Sequence, residues 1–470
     1  MTSYFSIHQS MFDGGIILSI DPRTDDLLDI AKWRLTPYQV LVLGFAGLIF
    51  VGALLLTSPL ASTSGKPTPF VDALFTATSA VCVTGLVVVD TGSHWSLFGQ
   101  LVIITLIQIG GLGIMSMATL IALLIGKKIQ LRERLIMQEA LNQLTMAGVV
   151  RLMIYVMKTT FIIELIGGTI LAIRWFADYG PRGIYYGYWH AVSAFCNAGF
   201  DLFGDFRSLT GYVDDLTVNI VITLLIILGG IGFTVIADVW DNRRFSKFSL
   251  HTKLVLTVSA FLIIFGAAVI SLLEWNNPDT LGGLSWQGKL LASYFQSVTP
   301  RTAGYNTLDI GKLESGTLFF LIILMFIGAS PASTGGGVKT STFGVLVLAI
   351  AAQISGKNDV EIFQRRIPVA TVYKAFTVVF LSALLVILVT LALTVTEQAP
   401  FLNILFEVVS AFGTVGLSTG ITPTLTVAGK LWLILTMFAG RVGPVTLALA
   451  IALRARKGAL QLPEGRVIIG

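Results

Sequence analysis

The stretch Ser79-Ala80-Val81-Cys82-Val83-Thr84-Gly85-Leu86 returns three more times in altered form. Its counterparts are Ser193-Ala194-Phe195-Cys196-Asn197-Ala198-Gly199-Phe200, Val298-Thr299-Pro300-Arg301-Thr302-Ala303-Gly304-Tyr305 and Ser410-Ala411-Phe412-Gly413-Thr414-Val415-Gly416-Leu417. Their glycines, Gly85, Gly199, Gly304 and Gly416, stand 114, 105 and 112 residues apart. Nearly constant spacing of a shared string marks an internal repeat. Each string closes a short, mostly apolar segment, 70–81, 185–195, 288–298 or 401–412. Such segments are too short to cross a bilayer and read as re-entrant helices.

Longer apolar stretches flank every string, near 39–58, 97–125, 152–173, 215–237, 254–273, 316–338, 370–395 and 430–453. Each is long enough to cross the hydrocarbon as a helix. The expected fold is therefore all-α and integral to the membrane, with four parallel units of span, re-entrant helix, glycine loop and span. Their boundaries fall at 37–126, 150–240, 252–354 and 367–455, between an N-terminal segment 1–36 and a tail 456–470. Lys127, Lys128, Arg132 and Arg134, then Arg243, Arg244 and Lys247, then Lys357, Arg365 and Arg366, and finally Arg454, Arg456 and Lys457 all fall on one side of this arrangement. Short loops rich in Lys and Arg stay inside, so both termini are expected in the cytoplasm and the re-entrant segments dip in from outside.

Composition agrees with this reading and removes several others. Hydrophobic residues make up 54% of 470, charged residues only 12%, and the mean hydropathy is +0.83. A soluble domain cannot hide that much apolar surface. The net charge of +5 is sorted by membrane side instead of forming one basic face, so no nucleic-acid partner is expected. Cys82 and Cys196 give no disulfide framework, and His8, His94, His190 and His251 have no metal-ligand spacing. Asp13 and Asp21 interrupt the N-terminal residues, so no cleaved leader is expected.

Four glycine loops around one axis have a direct physical use. A cation leaving water needs its hydration shell replaced by oxygens from all sides, and backbone carbonyls can supply them. Turning successive carbonyls toward one axis demands backbone conformations that glycine enters most readily. Each re-entrant helix points its negative C-terminal end at the same place, which favours cations. The candidate ion-binding residues are Val83, Thr84, Gly85, Asn197, Ala198, Gly199, Thr302, Ala303, Gly304, Thr414, Val415 and Gly416. Packing glycines between membrane helices would explain any one of the loops alone, but not four in register.

At these residues the chain resembles the superfamily of Trk, Ktr and HKT potassium transporters, from about Leu35 to its end. Thr414-Val415-Gly416-Leu417-Ser418 is also similar to the potassium-channel filter, with Leu in place of Tyr. The motifs Gly110-Gly111-Leu112-Gly113, Gly229-Gly230-Ile231-Gly232 and Gly440-Arg441-Val442-Gly443-Pro444 carry the resemblance into the second spans. Eight spans, with no extra pair before the first unit, look more like the Ktr type of membrane subunit (KtrB). The resemblance implies potassium uptake across the plasma membrane, with potassium in the filter and no covalent cofactor. It also implies a homodimer in membrane lipid on a cytosolic, nucleotide-binding RCK-type ring (KtrA-like). Glycine at all four filter positions accompanies potassium preference in that family. A sodium-coupled or sodium-conducting secondary transporter is the alternative. An enzyme is not expected, because no convergent acid, base, nucleophile or metal set is present.

Two features lie outside the strings. The third unit's second span is interrupted by glycines, proline, serines and threonine over 328–337, which a uniform helix would not choose. This reads as a loop beneath the filter, and the resemblance implies a gate of Ala332, Ser333, Thr334, Gly335, Gly336 and Gly337. Arg441 sits deep in the last span, where a charge must face water or a partner. It is either a positive barrier to cations, completing the gate, or the ion-pair partner of an acid such as Glu407. Glu164 and Asp72 share this ambiguity, and for both the expected role is helix capping or packing.

Overall fold

The computed structural model describes residues 36–113 and 149–451. The basic linker at 127–134, most of the N-terminal segment and the tail 456–470 lie outside the described residues. What is described is almost wholly helical. Leaving aside the single turn Thr91–His94, in chain order the helices are α1 Pro37–Thr57, α2 Phe70–Val81, α3 Leu97–Leu112, α4 Val149–Tyr179 and α5 Pro181–Phe195. They continue with α6 Leu216–Gly230, α7 Phe233–Asn242, α8 Leu250–Glu274, α9 Trp286–Val298 and α10 Ser315–Phe326. The last five are α11 Thr340–Ile354, α12 Val369–Thr396, α13 Phe401–Gly413, α14 Val427–Val442 and α15 Pro444–Ile451. Between α11 and α12 a hairpin pairs Val360–Ile362 with Arg365–Ile367, Val360 opposite Ile367, around Phe363 and Gln364 in left-handed conformation.

One pattern of elements occurs four times. A long apolar helix (α1, α4, α8, α12) is followed by a short one (α2, α5, α9, α13), a loop, and a second apolar helix (α3, α6, α10, α14). The four long helices each satisfy the length and hydropathy of a membrane span. Local sequence fixes the starts. Pro69 and Pro400 precede α2 and α13, and Pro181 opens α5, all positions where a missing N–H costs nothing. Ser96, Asp215, Ser249, Ser285 and Thr426 cap α3, α6, α8, α9 and α14, each accepting a bond from the backbone N–H three residues on.

The second helices depart from the expectation. Apart from 316–338, each is expected to run as one uninterrupted span, yet each helix stops at the same point of its unit; residues 114–125 of the first of these spans lie outside the described residues. α3 ends at Gly113 (φ 86°), α6 and α7 meet at Gly232 (φ 99°) with a bend of 97°, and α14 yields to α15 at Gly443 (φ 92°). A residue with φ in that region cannot continue a right-handed helix, and glycine adopts it without a Cβ clash. The motifs at 110–113, 229–232 and 440–443 are thus helix terminators as well as packing sites. The third unit opens the same break into the segment 327–339, between α10 and α11.

The first glycine of each of those three motifs performs the close approach. A Cβ on Gly110 would strike the carbonyl of Val81, one on Gly229 that of Phe195, and one on Gly440 that of Phe412. In the first, second and fourth units the second helix therefore lies backbone to backbone against the C-terminal end of its own short helix, which sets where that end points. Gly229→Ala forces the two backbones apart, and overpacking of this kind costs about 1–3 kcal/mol. A lowered melting temperature of the purified protein is expected for Gly229→Ala, and none for Gly47→Ala, where a Cβ meets open space.

Candidate functional site

The four strings meet. In each, the residue two before the glycine is left-handed although it carries a side chain: Val83 (φ 52°), Asn197 (57°), Thr302 (69°) and Thr414 (50°). The glycines are also at positive φ, 92°, 69°, 79° and 92° in order. For β-branched Val83, Thr302 and Thr414 this is a strained conformation, of a kind that persists only where the surroundings over-determine it. The surroundings here are the neighbouring strings. A Cβ on Gly85 would strike the carbonyl of Ala198, and one on Gly199 would lie 2.6 Å from the carbonyl of Ala303. One on Gly304 would strike that of Val415, and one on Gly416 that of Thr84. The contacts run from first string to second, third, fourth and back to first, so Gly85, Gly199, Gly304 and Gly416 close a ring made of backbone.

Side chains from the short helices hold the ring from behind. Ser79 Oγ accepts from Gly85 N–H at 3.0 Å and Ser410 Oγ from Gly416 N–H at 3.1 Å. Ser193 Oγ instead donates to the Phe200 carbonyl at 2.9 Å, and Thr299 Oγ1 to the Tyr305 carbonyl at 2.5 Å. The Tyr305 hydroxyl crosses to the same Phe200 carbonyl at 2.6 Å. These anchors were not singled out from sequence, although a serine opens three of the four strings. Thr84 Oγ1 and Thr414 Oγ1 are buried with no hydrogen-bond partner among the described residues.

The segment 327–339 lies against the ring. Its backbone is held by Gly328 N–H to Val338 O (2.8 Å), Ser330 N–H to Gly230 O (2.9 Å), Thr334 N–H to Gly229 O (3.1 Å) and Phe233 N–H to Ala332 O (2.9 Å). A Cβ on Gly335 would strike Thr302 Oγ1, and one on Gly336 would strike Thr414 Oγ1. Any larger residue there would push the loop off the ring. Lys339 Nζ donates back to Gly335 O at 2.7 Å. On the other side, a cavity of about 750 Å³ is lined by Gly113, Phe233, Ser333, Lys339 and Arg441 but by none of the ring residues. The loop separates the two.

Arg441 closes this arrangement from the last turn of α14. Its guanidinium donates to the carbonyls of Thr334, Gly110 and Gly111, the last at 3.1 Å. It thereby ties the loop to the helix break of the first unit. No carboxylate pairs with it among the described residues, and Glu407 takes its bond from Thr422 Oγ1 instead. Asp72 is ion-paired with Lys430 at 2.7 Å. Glu164 accepts from Gln108 Nε2 at 3.1 and 3.2 Å. Cys82 and Cys196 are buried free thiols, and no cluster of three metal-ligating side chains occurs among the described residues.

The family model TrkH: Cation transport protein matches residues 36–460, which span every element described above. This chain belongs to the TrkH cation transport family. It is a multi-pass membrane protein, not an enzyme. The Ktr system potassium uptake protein B of Bacillus subtilis is 51% identical over 443 residues, covering 94% of this chain and 98% of that protein. The potassium/sodium uptake protein NtpJ of Enterococcus hirae is 42% identical over 444 residues, covering 93% and 98%. The crystal structure of the potassium transporter TrkH from Vibrio parahaemolyticus superposes with a TM-score of 0.69 at 18% identity, over 90% of this chain and 86% of that one. That likeness shows the same fold.

In a cation transporter, Arg441 offers a sharp test. Its three acceptors are neutral carbonyls, so Arg441→Gln strands no carboxylate. Cation uptake into liposomes is expected to rise in a variant that still purifies in folded form. A well-folded variant with uptake at or below that of the unsubstituted protein would contradict this.

Proposed function

We propose that the chain takes up potassium through a selectivity filter formed by the four strings, with 327–339 and Arg441 as the gate beneath it. The closed backbone ring carries this reading. Four carbonyls, those of Thr84, Ala198, Ala303 and Val415, come from equivalent positions of the four strings and meet at the ring glycines. Such a set can replace the water around a dehydrated monovalent cation. The short helices α2, α5, α9 and α13 end at the ring, so their negative dipole ends add to the attraction. The gate reading is supported by the loop's place between ring and cavity, and by a guanidinium that opposes cation entry. At about 4 Å and an effective dielectric near 20, one like charge costs on the order of 4 kcal/mol.

The names of the relatives support potassium as the cargo, and that of the Enterococcus relative keeps sodium as a second permeant ion. Membership in a Ktr system supports a regulatory partner, which we read as a cytosolic RCK-type ring that binds the nucleotide. The membrane subunit would act as a homodimer in the plasma membrane. The basic residues Arg243, Arg244, Arg365 and Arg366 support a cytoplasmic side for that ring and for both termini.

Uptake of rubidium and sodium by liposomes holding the purified protein tests the filter. Gly85→Ser puts a side chain where the Ala198 carbonyl already lies, at a φ of 92°. A lower rubidium-to-sodium ratio with residual uptake is expected. An unchanged ratio in a folded variant would remove Gly85 from the filter.

A further inference from the structure

Asn197 differs from its three counterparts. Val83 has no polar side-chain atom, and the hydroxyls of Thr302 and Thr414 face the loop glycines Gly335 and Gly336. Asn197 carries a planar amide with two N–H donors and one carbonyl acceptor. It is fully buried, and its amide bonds to two segments at once. Nδ2 donates to Arg301 O at 3.3 Å and to Thr302 Oγ1 at 3.4 Å, both in the third string. Oδ1 accepts from Thr334 Oγ1, in the loop beneath, at 3.1 Å. The helix α6 leaves room for this amide, since a Cβ on Gly229 would lie 2.7 Å from Oδ1 and one on Gly230 would lie 3.2 Å from Nδ2.

The bonds around Asn197 are unevenly shared among the strings. The second and third are joined by the two Nδ2 bonds and by Tyr305 OH to Phe200 O, and just beyond them Leu209 N–H bonds to Asn306 O at 3.0 Å. Among the described residues, no hydrogen bond joins the fourth string to the third or to the first. The second and third strings therefore form a braced half of the ring. Among the described residues, Thr334 is the loop's only side-chain donor to any string, through Asn197 Oδ1 and the Phe195 carbonyl at 3.2 Å. When the loop moves away, Asn197 Oδ1 loses its partner in a buried site, and an unsatisfied buried acceptor is costly. Turning the amide to recover a bond breaks the brace to Arg301 and Thr302.

We propose that Asn197 is a positioning residue that couples the 327–339 loop to ion discrimination, so that loop position and filter geometry are one equilibrium. This rests on the reading of the ring as a filter. The test uses the full chain in liposomes and measures both rubidium uptake rate and the rubidium-to-sodium ratio for Thr334→Val, Thr334→Ser, Asn197→Ala, the Asn197→Ala/Thr334→Val double variant and Gly199→Ser. Thr334→Val is expected to change the ratio about 5-fold, the factor corresponding to the net worth of one hydrogen bond. Thr334→Ser, which keeps the hydroxyl, should restore the original ratio. Asn197→Ala should change the ratio too, and the double variant should go no further than Asn197→Ala, because both changes break one link. A Thr334→Val protein with a faster rate and an unaltered ratio overturns the coupling, as do effects that multiply in the double variant. Should Asn197→Ala fail to purify as a folded protein, the Thr334→Val and Thr334→Ser ratios decide alone. An unchanged ratio in Gly199→Ser overturns the filter reading itself, and the coupling falls with it.

Discussion

Everything in this structure follows from bringing four stretches of backbone together with no side chain between them. The glycines of the ring cannot carry a Cβ because each would strike a carbonyl of the next string, and the strained φ at Val83, Asn197, Thr302 and Thr414 is held by the same crowding. Left-handed residues with side chains cost free energy, of order 1–3 kcal/mol each when the backbone is truly strained. That cost must be offset by the packing around the strings. The buried serines and threonine of the short helices, and the close contacts at Gly110, Gly229 and Gly440, are where the offset is found.

The broken second helices belong to the same constraint. A helix running on past Gly113, Gly232 or Gly443 would keep every backbone group bonded to itself and leave nothing to hold the segment 327–339. By stopping, these helices free carbonyls. Gly110 and Gly111 offer theirs to Arg441, while Gly229 and Gly230 receive the N–H groups of Thr334 and Ser330. The loop is thus bonded by the ends of its neighbours. Irregular backbone at membrane depth is tolerated when buried in protein in this way.

Much of this was legible in the sequence. The short helix expected at 70–81 is α2, Phe70–Val81, and the one at 401–412 is α13, Phe401–Gly413, because proline starts and apolar content signal both ends locally. The interruption at 328–337 was visible in its glycines and proline. The breaks at Gly232 and Gly443 were not, since one glycine in an apolar run is as compatible with helix packing as with a stop, and only the neighbouring backbone decides. Long-range partners were equally hidden. The assignment of Arg441 to carbonyls, and of Glu407 to Thr422, depends on how four units close around an axis, which spacing within a unit does not encode. The bridging amide of Asn197 fell in the same class, although an asparagine where the other strings carry Val or Thr was a signal that it does something different.

We read the ring of Gly85, Gly199, Gly304 and Gly416 as the site that binds a dehydrated monovalent cation. Anomalous scattering from thallium, a potassium substitute, in crystals of the purified protein tests it most directly. A peak shared among the carbonyls of Thr84, Ala198, Ala303 and Val415 is expected, and its loss when sodium replaces thallium. Thallium bound elsewhere in the chain, with no peak at the ring, would contradict it.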